Sequence, residues 1–509
     1  MPKNTKIDDI RTPSVATWAW ISLFVLAAGA YFAGLDMPLV GPDEPRYAQV
    51  AREMFIRGDL ITPTLGGYHW FEKPALLYWL QIGAYSLLGV TEFAARLGPA
   101  LFGFGTILSL WMLGRSVDVN SRDDVKNGSF AIWLALIATS SLGIIVFAHG
   151  ASFDIIVTFP MAASLVSFFI FDQAKPRNFR SSTLPLLLFY FFIGLALLAK
   201  GLIGIVFPFA IVGLYHLLSR KLPNKAFTVS LVWGTMLAVA VAATWYWPMY
   251  HRHGYEFVDE FFLQHHFQRF TSNKYQHPQP FYFFFWVLPL MTIPWLPFFG
   301  AAVVSYIRGL FREPLAGSST NSSPLLLFAW AWLLVPLVFF SLSGSKLPGY
   351  ILPAVPAAIV VTGTYVYGLV KNSFRWRNIV LGLAGLTFAV LIAVALFAAP
   401  RFAERESVKS LLNAADARGH VSEPVLMFLR IAHNAEFYAA GRLVRDNEGK
   451  QRRISTKEEL VSELQILGGR AVVLVPTAYF DQLSNTEEIE TEVLGNNDEF
   501  SIAIVFLKN

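Results

Sequence analysis

The recurrence of long apolar runs is what most limits how this chain can fold. About eleven stretches approach the ~20 residues an α-helix needs to cross a bilayer. They fall at roughly 17–36, 94–114, 129–149, 152–171, 183–199, 201–219, 227–249, 281–307, 324–342, 349–370 and 377–399. Inside hydrocarbon every backbone amide and carbonyl must be bonded internally, so runs of this kind read as helices. Composition points the same way. Of 509 residues, 55% are hydrophobic and 15% charged, whereas a soluble protein carries about a quarter charged residues. The first run, Trp18 to Leu35, follows Lys3, Lys6 and Arg11 in the manner of a signal peptide. It has no small-residue cleavage site and many runs follow it, so it reads as a first span. The chain has no cysteine, which removes disulfides, thiolate metal sites and a cysteine nucleophile.

Pro74 to Val90 is apolar and aromatic but short, and is expected to lie in the interface as an amphipathic helix. With that placement and the N-terminus inside, the basic residues sort to one side. Arg115, Arg122 and Lys126 fall in inner loops, as do Lys175, Arg177 and Arg180; Arg220, Lys221 and Lys225; Arg308 and Arg312; and Lys371, Arg375 and Arg377. This positive-inside pattern accounts for the net charge of +5 without a nucleic-acid partner. The outer loops are then 37–93, 149–152, the neighbourhood of Lys200, 250–280 and 343–350. Every polar cluster with chemical character lies in them.

After Pro400 acidic residues become frequent and no span-length run remains. Glu404 to Arg418 reads as a helix. Val425 to Leu429, Ala471 to Val475 and Ser501 to Phe506 read as strands, and Ser455 with Glu458 as a capping box opening another helix. The expected architecture is an α-helical polytopic membrane protein with about 11–13 transmembrane helices plus interfacial helices. A transmembrane domain over 1–399 is followed by a small α/β domain over 400–509 outside the membrane.

The first outer loop is richest in chemical groups. Asp43, Glu44 and Arg46 emerge just above the first span, with Pro45 in the first turn of a helix. Asp43 could serve simply as a helix cap and Arg46 pair with a surface acid, or the charges could flank a lipid headgroup. Farther on, Glu72 and Lys73 sit among aromatic residues before the interfacial helix. Lys73 could snorkel, or its ammonium could hold a phosphodiester at headgroup depth. Asp154 lies between two apolar runs, where a carboxylate is costly and functional by default. The loop 250–280 carries His265, His266, Arg269, Lys274 and His277; adjacent histidines alone are a weak metal signal. Lys346 and Tyr350 lie in a proline-shaped turn.

In order along the chain, Asp43 to Ala48, Phe71 to Pro74, the Asp154 loop, His266 to Phe270 and Lys346 to Tyr350 resemble the C-type membrane glycosyltransferases. The branch is the one that includes the lipid A aminoarabinose transferases and relatives of protein mannosyltransferases. The likeness covers about the first 355 residues. It implies an inverting transfer from a polyprenyl-phosphate sugar, such as one on undecaprenyl phosphate, at the extracytoplasmic face of a bacterial-type inner membrane. The acceptor would be lipid A, another lipid, a glycan or a protein. Asp43 and Asp154 match the family's two loop acids, and Glu44 and Arg46 are grouped with them as catalytic. Lys73, Arg269 and Tyr350 match groups around the carrier phosphate, with Tyr47 and Lys346 added to the substrate-binding set. Glu72 and His266 match positions near a divalent ion. Trp70 stands where aminoarabinose transferases usually have Tyr, and Pro45 and Gly349 where they tend to have Thr, which leaves sugar and acceptor open. A transporter or flippase, the rival from another class, would show repeated halves and polar sites at mid-membrane. A non-catalytic lipid-binding protein would not need both Asp43 and Asp154.

Overall fold

A computed structural model describes residues 15–120, 129–174, 179–268, 278–310 and 323–508. Arg122, Lys126, Lys175, Arg177, Arg269, Lys274, His277 and Arg312 lie outside the described residues, as do the side chains of Arg180, His265 and His266. Among the described residues, seven helices are long and apolar enough to cross a membrane: Glu92–Asp118, Phe153–Gln173, Thr183–Lys200, Lys225–Gln264, Pro324–Leu342, Pro348–Asn372 and Phe374–Glu406. The chain is a multi-span membrane protein.

The eleven expected runs are all helical, but not all are single spans. The run 129–149 is two helices, Phe130–Thr139 and Leu142–His149, bent by 53°. The break has a cause in Ser140 and Ser141, whose hydroxyls donate to Leu136 O (2.6 Å) and Ile137 O (2.7 Å) and finish the first helix. The freed amide of Leu142 donates across to Ile293 O at 2.8 Å, and Trp295 Nε1 donates to Ser140 Oγ at 3.1 Å. The run 281–307 breaks opposite this point, into Phe283–Met291 and Leu296–Leu310, on either side of Pro294, which has no amide to continue a helix. The two broken runs thus satisfy each other's backbone. Ile203–Ser219 is a shorter apolar helix.

The expected interfacial segment is a helix over Leu76–Leu88, 13 residues and so roughly 20 Å long, too short for a ~30 Å hydrocarbon core. It lies against the neighbouring helices through Leu77, Tyr78 and Tyr85; Gln81 Nε2 donates to Ala95 O (3.1 Å) and Tyr85 Oη to Ala48 O (3.2 Å). Elsewhere in the bundle, small residues allow backbones to touch. A methyl group on Gly114 would lie 2.4 Å from Ala131 Cα, and one on Gly204 2.4 Å from the Ala196 carbonyl carbon.

After the last span the helix ends at Glu406. The single helix expected over 404–418 is two, Ala399–Glu406 and Lys409–Ala417. Ser407 is extended between them, held by Asn434 Nδ2 to Glu406 O (2.7 Å) and Asn497 Nδ2 to Ser407 O (3.0 Å). A five-stranded sheet follows, in the order β4 (Arg453–Ile454), β3 (Val425–Phe428), β5 (Arg470–Pro476), β7 (Phe500–Leu507), β6 (Ile489–Asn496). β4, β3 and β5 are parallel; β5, β7 and β6 are antiparallel. The central strands are buried on both faces. Met427, Val472, Leu474 and Ile502 pack one core, and Leu426, Val473, Val475 and Ala503 the other, which is why these strands read as unbroken apolar runs. The capping box sits one residue later than expected, with Thr456 Oγ1 accepting from Glu459 N and Glu459 Oε2 accepting from Ser455 N.

This C-terminal domain lies on the loop over residues 37–93, expected from the sequence to be the first outer loop. Tyr438 Oη accepts from Leu39 N (2.7 Å) and donates to Glu92 Oε1 (3.0 Å), which also pairs with Lys409 (2.6 Å). Arg52 Nη1 donates to Phe437 O at 3.2 Å, with its guanidinium 5.6 Å from the Phe437 ring centre.

Candidate active site

The outer loop is built on the helix Asp43–Arg57. Its first residue, Asp43, is not a cap: Pro42 holds the cap position. Asp43 is half-exposed and 3.6 Å from Arg46, one turn on. Arg46 in turn lies over the Trp70 ring, 5.3 Å from its centre. The next residue behaves differently. Glu44 is buried and accepts from Arg96 Nε (3.1 Å) and Nη2 (2.8 Å), from Ala151 N (2.7 Å) and from Val40 N (3.1 Å). Arg96 also donates to Leu35, Met37 and Pro38 carbonyls. Glu44 and Arg96 therefore fasten the end of the first helix, the start of the loop helix and the Asp154 loop into one knot. Burial alone would raise the Glu44 carboxyl; the guanidinium and the two amides outweigh it and hold it below its usual value.

A β-hairpin, β1 (Thr64–Leu65) and β2 (Tyr68–His69), turns at Gly66 and Gly67, both left-handed with φ of 62° and 84°. Glu53 fixes this turn, accepting from Gly66 N (2.6 Å), Gly67 N (3.2 Å) and Thr64 Oγ1 (2.7 Å). The hairpin delivers Glu72 and Lys73, which are largely buried and form an ion pair at 2.7 Å.

Asp154 stands in the first turn of the span Phe153–Gln173 and pairs with Lys200, at the end of the helix Phe179–Lys200. The Lys200 ammonium lies 5.0 Å from the centre of the Tyr350 ring. The turn carrying Tyr350 comes very close: a methyl group on Gly349 would be 1.9 Å from Asp154 Oδ2. Only glycine fits there as these groups are placed.

Asp43 feels this whole set. Partial burial raises its carboxyl above the usual carboxylate range; Arg46 and Lys73 oppose the rise, and Glu72 and Asp154 add to it. Asp43, Arg46, Glu72, Lys73 and Asp154, residues spread over 112 positions, thus share one electrostatic neighbourhood at one end of the bundle. Other expected members sit differently. Tyr47 is buried, with its ring 4.9 Å from Phe153 and 6.5 Å from Tyr78, and joins the loop helix to the Asp154 helix. Lys346 is buried and donates to Ser343 O (2.5 Å) and Gln279 O (3.0 Å), binding two outer loops together; burial lowers its pKa. Arg269 and the His266 side chain lie outside the described residues.

Three participants were not picked out from the sequence. Arg96 is the one cation within the apolar run 94–114, and Lys200 stands between the apolar runs 183–199 and 201–219; that oddity was the available signal. His433, from the outer domain, had none. It is exposed, and desolvation with the nearby Arg46 charge lowers its pKa, against Asp43 and Glu436.

A bundle of membrane helices with acids and cations gathered at one mouth, roofed by a small α/β domain, defines a class of membrane enzyme scaffold, and known proteins share it. A family described as dolichyl-phosphate-mannose-protein mannosyltransferase matches residues 20–253. The undecaprenyl phosphate-alpha-4-amino-4-deoxy-L-arabinose arabinosyl transferase of Aeromonas hydrophila is 31% identical over 399 residues, covering 75% of this chain and 66% of that one. The Aeromonas salmonicida protein of the same description is 30% identical, covering 74% and 65%. The chain thus spans slightly less than two thirds of these relatives. ArnT from Cupriavidus metallidurans, solved bound to undecaprenyl phosphate, superposes with a TM-score of 0.76 at 20% identity, over 96% of this chain and 98% of that one. The archaeal oligosaccharyltransferase AglB from Archaeoglobus fulgidus, in complex with an inhibitory peptide and a dolichol-phosphate, gives 0.53 at 12% identity over 91% and 70%. In sequence the chain is similar to the aminoarabinose transferases and to the mannosyltransferase family, and in fold to ArnT, all of them C-type membrane glycosyltransferases.

Proposed function

We propose that the protein transfers a glycosyl group from a polyprenyl-phosphate donor, undecaprenyl phosphate by analogy with its relatives, to a lipid acceptor such as lipid A. The observation that carries this reading is the shared neighbourhood of Asp43, Lys73 and Asp154 at one mouth of the bundle. The reaction replaces the carrier phosphate at the anomeric carbon by an acceptor oxygen, with inversion. The departing phosphate gains charge as the bond breaks, and Lys73, with Arg269, is the group to neutralise it. Asp43 takes the proton of a hydroxyl acceptor, a role its raised pKa suits; toward a phosphate acceptor it only orients. Asp154 and Lys200 hold the facing wall and position Tyr350. Glu44 acts through Arg96, as a positioning residue.

Family likeness implies a divalent ion at Glu72 and His266. One carboxylate and one imidazole fall short of the three or four ligands such an ion takes, and Glu72 is paired with Lys73. No step here runs through a metal.

The site faces the outside of an inner membrane in this reading. A cysteine at Ser484 should label with an impermeant thiol reagent in intact cells, and one at Ser373 should not. The activity is tested with purified protein in liposomes holding undecaprenyl-phosphate-linked sugars and either lipid A or an acceptor peptide, with products read by mass spectrometry. Sugar on lipid A supports the proposal. Sugar on the peptide alone moves the protein to the mannosyltransferase side of the family, which the match over residues 20–253 also admits. No discharge of any lipid-linked donor would sink both.

A further inference from the structure

Beside the hairpin that delivers Glu72 and Lys73, His69, His253 and Glu256 come together. One ligand atom from each lies within 4.8 Å of the others. His69 is on β2, and His253 and Glu256 are on the outer end of the long helix Lys225–Phe257. That helix is broken between them at Gly254, whose φ of 57° no other residue type adopts readily. His69 Nδ1 is 3.0 Å from Glu256 Oε1, and the two imidazole rings are 4.7 Å apart at 74°. Both rings rest on Phe71, at 4.9 and 5.0 Å. Thr62 Oγ1 lies 2.9 Å from His253 Nε2.

We infer that these three side chains bind a divalent transition metal of the zinc type. Hydrogen bonding explains His69 with Glu256 and His253 with Thr62 as separate pairs. It does not explain why two imidazoles and a carboxylate, 184 residues apart in sequence, converge on one point. Two nitrogens and one oxygen form a set that zinc accepts, with a fourth position left for water. Magnesium and calcium prefer all-oxygen shells. A partner on the second ring nitrogen, here Thr62, is how proteins orient a metal-binding imidazole. The site would clip the hairpin to the end of the long helix. Three residues past His69 the chain delivers Glu72 and Lys73, and Glu260, next along the helix side, accepts from the Phe71 amide. The ion would therefore hold the loop that bears Glu72 and Lys73, and its binding does not depend on the glycosyl-transfer reading.

The test uses full-length protein in detergent, stripped with chelator and titrated with Zn2+ against a chromogenic zinc indicator. Wild type should take up an equivalent that His69→Ala and His253→Ala each lose and Glu72→Gln retains. Glu256→Gln, which keeps a hydrogen bond to His69 but not the charge, should bind at least tenfold more weakly, and guards against misfolding in the alanine variants. Zn2+ should raise the melting temperature of wild type and leave that of His253→Ala unmoved. Uptake should fall as pH drops through the imidazole range, because the ligands must be deprotonated. Full uptake by both histidine variants, no uptake by wild type, or loss confined to Glu72→Gln would each overturn the site.

Discussion

Asp43 and Glu44 are neighbours in sequence and opposites in structure. Glu44 is buried and bonded on every side, to Arg96 and two amides, and is held ionised. Asp43 is half-exposed and shares a loose 3.6 Å pair with Arg46; partial burial raises its carboxyl, and Glu72 and Asp154 add to the rise. One acid spends its bonding capacity on the protein, and the other keeps its capacity for a ligand. A helix turn places successive side chains about 100° apart, so one strand of sequence can supply both a fixed anchor and an open group with no slack between them.

The contrast can be broken by removing the anchor. Arg96→Ala leaves Glu44 buried without its cation, and breaking a buried pair costs about 3–5 kcal/mol. The expected result is poor membrane accumulation and a melting temperature well below wild type by thermal denaturation in detergent. Asp43→Asn should do the reverse: unchanged melting temperature, and transfer to a hydroxyl acceptor reduced by about 10²–10⁴-fold, the usual reach of general-base catalysis. If Asp43→Asn melts early while Arg96→Ala melts normally, the two roles are exchanged.

Smaller effects sharpen the comparison. Lys73→Ala removes a charge-assisted contact of about 1.5–3 kcal/mol, so donor affinity should fall roughly 10–150-fold while the fold persists; isothermal titration with undecaprenyl phosphate would show it. The pH dependence should also separate the acids. Asp43 must be ionised to take a proton, so the rate falls as pH drops through its raised pKa, above the ~3.9 of a free aspartate. Glu44, held low, contributes no such limb in that range. An acid limb at or below the free value would contradict the raised carboxyl of Asp43. Least of all, Tyr438→Phe loses the bonds to Leu39 N and Glu92, and should lower stability by about 1 kcal/mol, read as earlier proteolysis between the two domains.

Much of this was legible in the sequence because it is encoded locally. Span-length apolar runs, the acids of the outer loops, the short helix at Leu76–Leu88 and three of the sheet strands follow from composition over a few turns. What escaped was pairing across distance. Lys200 reads as one cation ending a run, and only the folded bundle sets it on Asp154, 46 residues back. Arg96 and Glu44 are 52 residues apart. The bends at Ser140–Ser141 and at Pro294 make sense only together, since each break exposes backbone that the other satisfies. Tyr47 and Lys346 have the chemistry of ligand-binding groups, yet burial assigns them to packing and loop fastening, and burial is a property of the fold.

The bond from Leu39 to Tyr438 joins residues 399 positions apart. Translation proceeds at about 5–20 residues per second, so roughly 20–80 seconds separate the synthesis of the loop that bears Asp43 from that of the domain that covers it. During that interval the loop has only its own short-range fastenings: Glu53 on the Gly66–Gly67 turn, Arg57 on Thr62 and Thr64, and, once the next span is made, Arg96 on Glu44. The newborn chain therefore passes through a stage with an assembled floor and no roof, and the order of manufacture makes the C-terminal domain the last part able to cover the loop.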